Sequence, residues 1–130
     1  MNETDIRKAI QLACSKGESR LFRNQVGEAW QGRCYRTAEG VLVRDPRRVN
    51  FGLCVGSADL VGWRTVTITP DMVGQRVAVF ASVEVKTTRG RYAAGQREWA
   101  EQVVLAGGLA GFAKNTAEAD KILGALSHES

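Results

Sequence analysis

Two charged side chains stand within the strongest strand pattern of the chain, Arg76–Thr87, in Val83-Glu84-Val85-Lys86. In an extended segment alternate residues share a face, so Glu84 and Lys86 fall on one side and Val83 and Val85 on the other. A strand this apolar should be central, and there a carboxylate and an ammonium both need partners. Upstream, Gly56-Ser57-Ala58-Asp59-Leu60-Val61 puts a single carboxylate at the start of another strand, after glycines that let backbone approach closely. If the two strands are neighbours, Asp59, Glu84 and Lys86 converge. Two carboxylates and a peptide carbonyl make a hard, all-oxygen site of the kind that suits Mg²⁺ or Mn²⁺.

Two more polar residues stand on apolar stripes. Glu3 precedes Ile6 and Ile10 by three and seven residues and so heads the buried face of a first helix. Gln96 precedes Trp99, Ala100 and Val103 by three, four and seven, heading the inward face of a later one. Each also has a plainer reading: Glu3 as a first-turn acid favoured by the helix dipole, Gln96 as a polar helix N-terminus.

Other chemistries are excluded by what is missing. The single His, His128, is the third residue from the C-terminal end, which removes Ser–His–Asp, Cys–His and His-Glu-x-x-His sites. Cys14, Cys34 and Cys54 are widely spaced with no Cys-x-x-Cys, so reduced thiols in a cytoplasmic protein fit better than zinc or disulfides. Neither Gly-x-Gly nor Gly-Lys occurs, so the dinucleotide fingerprint and the Walker A loop are absent. The N-terminus is acidic and polar, unlike a signal peptide. The longest run of apolar residues and glycine, Val103 to Ala113, is far short of the ~20 that span a bilayer, so no membrane partner is expected.

The elements that must hold these residues follow from periodicity. The 130-residue length suits one domain, and 44% hydrophobic with 25% charged residues is a globular composition. Residues 4–16 suit a helix capped by Thr4; residues 20–26 read as a short strand, followed by a loop holding Gly27, Trp30, Gly32 and Gly40. Val41–Val43 reads as a strand edge before an Asp45-Pro46 turn. A strand-like stretch from Ala58 leads to Thr65–Thr69, which alternates, and a turn begins at Pro70-Asp71. Arg76–Thr87 is the strongest strand. A helix from about Gly95 to Ala106, a strand Leu109–Ala113 and a helix from Thr116 to about Leu126 complete the order α-β-β-β-α-β-α, an α/β sheet with flanking helices. Net charge is +4, and 13 of the 18 bases are Arg, the side chain whose planar fork suits phosphate. Seven of them, Arg20, Arg23, Arg33, Arg36, Arg44, Arg47 and Arg48, lie between residues 20 and 48, and the first 48 residues hold all of the excess.

The ordered set Gly56-x-x-Asp59, Glu84-Val85-Lys86 and Gln96 resembles the PD-(D/E)XK nuclease superfamily. More narrowly, the chain is similar to the virus-type replication-repair nuclease (VRR-NUC) domain in its small, stand-alone phage and bacterial form. The similar stretches run from Glu3-x-x-Ile6-x-x-Ala9-Ile10 through Leu21-Phe22-Arg23-Asn24-x-Val26-Gly27, Phe51-Gly52-Leu53 and Gly56–Gly62. They continue with Glu84-Val85-Lys86-Thr87-x-x-Gly90-Arg91, Gln96 and Gly107-Gly108-x-Ala110-Gly111. The chain departs from the family at Ala93-Ala94-Gly95, where a Ser-Pro-Glu-like helix start is common.

That resemblance implies a single nuclease domain over residues 1–130, with a restriction-endonuclease-like PD-(D/E)XK core of a mixed central sheet flanked by helices. It implies that Asp59, Glu84 and the Val85 carbonyl hold Mg²⁺ or Mn²⁺, with Glu3 completing the site directly or through water. Lys86 would activate or orient the attacking water and neutralise charge on the phosphate. Gln96 would position the water or the scissile phosphate, and Arg20, Arg23, Arg89 and Arg91 would bind flanking DNA phosphates. Trp30 and Trp63 would pack the core or a dimer contact more readily than stack on a base. The implied activity is a metal-dependent, structure-specific DNA endonuclease of Holliday-junction or flap type, acting in the cytoplasm as a homodimer with a replication or repair partner protein. The competing readings are a non-catalytic nucleic-acid-binding accessory on the same fold and a sequence-specific restriction-type enzyme. The first has no need of clustered carboxylates beside phosphate, and the second would call for a long recognition insertion.

Overall fold

The computed structural model describes residues 2–126, so His128 lies outside the described residues. The chain divides into two compact units, Met1–Gly62 and Trp63–Ser130.

In the first unit, α1 (Glu3–Cys14) is capped by Asn2, whose Oδ1 accepts the Asp5 N–H at 2.9 Å; Thr4 is already inside the helix. The helix packs on β1 (Ser19–Arg23). Its less exposed positions are Arg7, Gln11 and Ser15, one face at four-residue spacing, whereas Ile6 and Ile10 stay exposed. The reversal has a polar cause: Gln11 Nε2 and Ser15 Oγ both donate to the Leu21 carbonyl, and Ser15 Oγ accepts the Leu21 N–H. Glu3, four residues before Arg7, stands at the head of that polar face and is itself exposed rather than buried.

The expected loop after β1 is instead a long antiparallel hairpin, β2 (Gly27–Thr37) and β3 (Gly40–Phe51). The register runs from Gly27↔Phe51 at the base to Thr37↔Gly40 at the tip, with an irregularity between Gln31 and Arg33. Asp45-Pro46 is not a turn but part of that bulge: Asp45 has φ of +52°, and a proline, lacking an N–H for the ladder, is tolerated there. At Gly32 a Cβ would come within 2.5 Å of the Arg44 carbonyl oxygen, so the bulge closes only over glycine. β4 (Leu60–Arg64) pairs with β1. Gly62 is required by this pairing, since a Cβ there would stand 1.8 Å from the Arg20 carbonyl oxygen.

In the second unit, Thr65–Thr69 does not form the expected strand; the Thr65 hydroxyl instead donates at 2.6 Å to the carbonyl of Ala106, the residue capping the C-terminal end of α2 (Ala94–Leu105). A single 3-10 turn follows at Pro70–Met72. Of the long expected strand only β5 (Ala81–Val85) is built, because its parallel partner β6 (Leu109–Ala113) is five residues long, in register from Ala81↔Leu109 to Val85↔Ala113. The crossover between them is α2, and α3 (Thr116–Leu123) also packs on this pair. The core of this unit sits where α2 meets the pair: Val103 is fully buried and Ala113 nearly so. Trp63, Phe80 and Trp99 form a second cluster with ring centroids 5.0–6.2 Å apart, so Trp63 packs internally as expected.

The α/β class and its helices stand. In place of one mixed central sheet, the described residues form three two-stranded sheets, β1-β4, β2-β3 and β5-β6, in the order α-β-β-β-β-β-α-β-α. The strand following Asp59 is thus hydrogen-bonded to β1 and not to β5.

Candidate active site

Glu84 and Lys86 lie on one face of the β5 segment, as period-2 alternation requires. Lys86 Nζ stands 3.6 Å from Glu84 Oε1. The lysine side chain is only 14% exposed against 43% for the glutamate, so the ammonium is held in the protein while the carboxylate reaches solvent. The Lys86 N–H donates to the Ala113 carbonyl at 3.0 Å, extending the ladder one residue past β5 and fixing the Val85–Lys86 peptide. Val85 itself is exposed, on an outer rather than a central strand position.

Gln96 comes to Glu84 from the first turn of α2. Ala93 has no side-chain acceptor with which to cap this helix, so only half of a reciprocal cap forms: Gln96 Oε1 accepts the Ala93 N–H at 3.2 Å. This leaves the amide nitrogen directed at Glu84, and Nε2 donates to Oε1 at 2.5 Å. A single carboxylate oxygen thus takes both Lys86 and Gln96. Beside it opens a cleft of about 310 Å³ whose lining includes Ser82, Glu84, Gln96 and Trp99. Its wall is fixed by the Trp99 indole N–H, which donates to Ser82 Oγ at 2.8 Å.

Asp59 is positioned within the first unit. Its carbonyl accepts the Asn24 N–H at 2.8 Å, and its carboxylate lies 3.7 Å from Arg23. The residue that holds this segment is Asn24, 7% exposed and the only buried polar residue among those described. Asn24 Nδ2 donates to Ser57 Oγ and to the Ala58 carbonyl, both at 2.8 Å, while Oδ1 accepts the Leu53 N–H at 3.0 Å. One side chain therefore clamps the loop on either side of Gly56 and sets the backbone just before Asp59. The sequence signal for it is slight: an Asn closing the 20–26 strand pattern.

Glu3 lies exposed in the first turn of α1. Arg20 is turned back on its own loop, donating to the Gly17 and Ser19 carbonyls at 2.8 and 2.6 Å. Arg23 is spent on Asp59. Arg89 and Arg91 are exposed in the connection between β5 and α2, next to the Glu84 end of the cleft in sequence.

For a divalent ion, the donor chemistry is of the right kind: the Glu84 carboxylate and the Val85 carbonyl of the second unit are hard oxygens, as is the Asp59 carboxylate of the first. Among the described residues, no group of three or more His, Cys, Asp or Glu side chains is drawn together to hold a metal.

The second unit thus presents a carboxylate and a lysine two residues apart along one strand segment, with a helix-borne glutamine bonded to the carboxylate. The family model for the VRR-NUC domain matches residues 6–116, most of the chain, and the protein belongs to that family of virus-type replication-repair nucleases. No curated protein and no solved structure matches it. No described helix is long and apolar enough to cross a membrane.

Proposed function

We propose that this chain is a single-domain, divalent-metal-dependent DNA endonuclease that recognises branched substrates such as four-way junctions or flaps, acting as a cytoplasmic homodimer. The observation that carries this reading is the Glu84–Lys86–Gln96 arrangement, in a chain of a nuclease family. Nucleic-acid binding alone has no use for a carboxylate held toward solvent beside the place of an incoming phosphate.

Asp59, Glu84 and the Val85 carbonyl would hold Mg²⁺ or Mn²⁺, with Glu3 direct or through water. When bound, such an ion stabilises charge on the phosphoryl oxygens and lowers the pKa of a coordinated water. Lys86, mostly shielded from solvent, presents a fixed positive charge where phosphate charge grows in the transition state. Gln96 holds Glu84 in one orientation, so the carboxylate needs no reorganisation as substrate arrives. Arg89 and Arg91 neutralise phosphates flanking the scissile one.

The test is cleavage of linear, flapped, forked and four-way DNA with Mg²⁺ or Mn²⁺ by the unmodified protein and by Glu84→Ala and Lys86→Ala. Cleavage confined to branched substrates, lost in both variants while binding persists, supports the reading. Undiminished cleavage by Glu84→Ala, with contaminating nuclease excluded, overturns it.

A further inference from the structure

The β2–β3 hairpin has a composition that its surroundings do not explain. A two-stranded ribbon is marginal in water unless something covers it, yet within its unit no other described helix or strand packs extensively against this one. Trp30, Tyr35, Val41, Leu42 and Phe51 are all exposed on it. Five arginines stand along its strands, Arg33, Arg36, Arg44, Arg47 and Arg48, against the acids Glu28 and Asp45. Arg33 and Arg44 are directly opposed across the ladder, a like-charge pairing that costs stability when nothing neutralises it. Asp45, 2.5 Å from Arg33, offsets only one of the two.

Gln31 and Arg33 are two apart on β2 and so share a face; their partners Arg47 and Arg44 share it too, the bulge on β3 absorbing the extra residue. Arg33, Arg44 and Arg47 therefore form one basic stripe, and Tyr35 continues it with the Arg44 guanidinium 5.7 Å over its ring. The 11 residues of β2 extend about 36 Å, close to the ~34 Å of one duplex turn. A second copy of this chain would set the same arginines, and the same net +4, against each other.

We infer that the β2–β3 ribbon is a nucleic-acid-binding arm whose Arg33, Arg44 and Arg47 face lies along the sugar–phosphate backbone of duplex DNA. This deepens the nuclease reading and rests on it for the choice of polyanion, while leaving the active site untouched.

The experiment measures binding of a labelled 25-base-pair duplex in EDTA between 50 and 200 mM salt, where no cleavage intervenes. Each phosphate contact contributes about 0.9 to the slope of log K against log salt, so R33Q/R44Q/R47Q should lower the slope by about 2.7. Across this fourfold salt range the unmodified protein then loses about 40-fold more affinity than the variant. The single variant R44Q should show about a third of the slope change, which keeps the test decisive if the triple variant fails to fold. A charge-matched control, K8Q/K16Q/K121Q, should retain the full slope. The inference is overturned if the slope does not change, if the control loses as much, if the unmodified protein binds no duplex, or if the variant changes only the sedimentation of the protein. Duplex binding through the arm, with no cleavage of linear, flapped, forked or four-way DNA in any metal, would keep the arm and overturn the nuclease reading instead.

Discussion

Replacing Asn24 by Ala is the sharpest probe of how Asp59 is held. The substitution removes three side-chain hydrogen bonds, to Ser57 Oγ, the Ala58 carbonyl and the Leu53 N–H, and leaves the backbone bond to Asp59 in place. At about 1 kcal/mol net per bond the loss is about 3 kcal/mol. The partner groups lie on a loop that water can reach, and Leu53 is itself exposed, so about 2 kcal/mol is the better figure. In a domain of this size that lowers Tm by about 8 °C. The loop before Asp59 loses its clamp, so metal-dependent cleavage should fall more than the stability change alone requires when both proteins are assayed well below their midpoints. Asn24→Asp sharpens the comparison: the acceptor for Leu53 survives and the two donors do not, so the loss should be intermediate in stability. Thermal and urea unfolding supply the first quantity and cleavage under saturating Mn²⁺ the second. A loss under about 0.5 kcal/mol, or unchanged cleavage at full metal saturation, would refute the assignment of Asn24 as the residue that sets Asp59.

Gln96→Leu removes the donor to Glu84 Oε1 while keeping a helix-compatible side chain of similar size. It should reduce kcat by about 10-fold or more with little change in DNA affinity, and an equal fall in affinity alone would contradict the orienting role. Gly62→Ala forces a Cβ into the Arg20 carbonyl, so β1 and β4 must part. A loss of about 3 kcal/mol or more in chemical denaturation is expected, and near-neutral behaviour would mean the pairing is not as described. The Thr69 hydroxyl beside Asp71 holds that carboxyl below the usual carboxylate range, with the Asp71 backbone N–H adding to the effect. Thr69→Ala should raise the Asp71 pKa in an NMR titration. Because a depressed carboxylate stabilises above its unfolded pKa and loses this as pH falls through its folded value, the stability gap between the two proteins should close in acid.

What could be read from the sequence was what local periodicity controls. The common face of Glu84 and Lys86 needed only two-residue alternation, and α2, β6 and α3 follow from apolar spacing and the glycines at 107 and 108. The hairpin was hidden because arginines, Gly32 and Asp45-Pro46 break the alternation at the bulge, and a bulge reads as a turn until its partner strand is known. The packed face of α1 was inverted because Gln11 and Ser15 find a strand's backbone polar groups, and a partner of that kind reverses the usual hydrophobic rule. Gln96 was legible as an inward residue. Its bond to Glu84 was not, since that depends on how the β5–α2 connection places one turn of helix over one strand residue. Asn24 is the same case: its side chain contacts residues about 30 positions away, and nothing local marks it.

The base of the hairpin has a consequence for how such a chain can change. Gly27 and Phe51 face each other across the ladder, so the chain enters and leaves the hairpin at almost the same point. Trimming or lengthening the ribbon between them should therefore leave in place the clamp outside the base, where Asn24 lies three residues before Gly27 and its partner Leu53 two after Phe51. With the ribbon as the proposed DNA-binding arm, DNA affinity and cleavage chemistry would be free to drift separately.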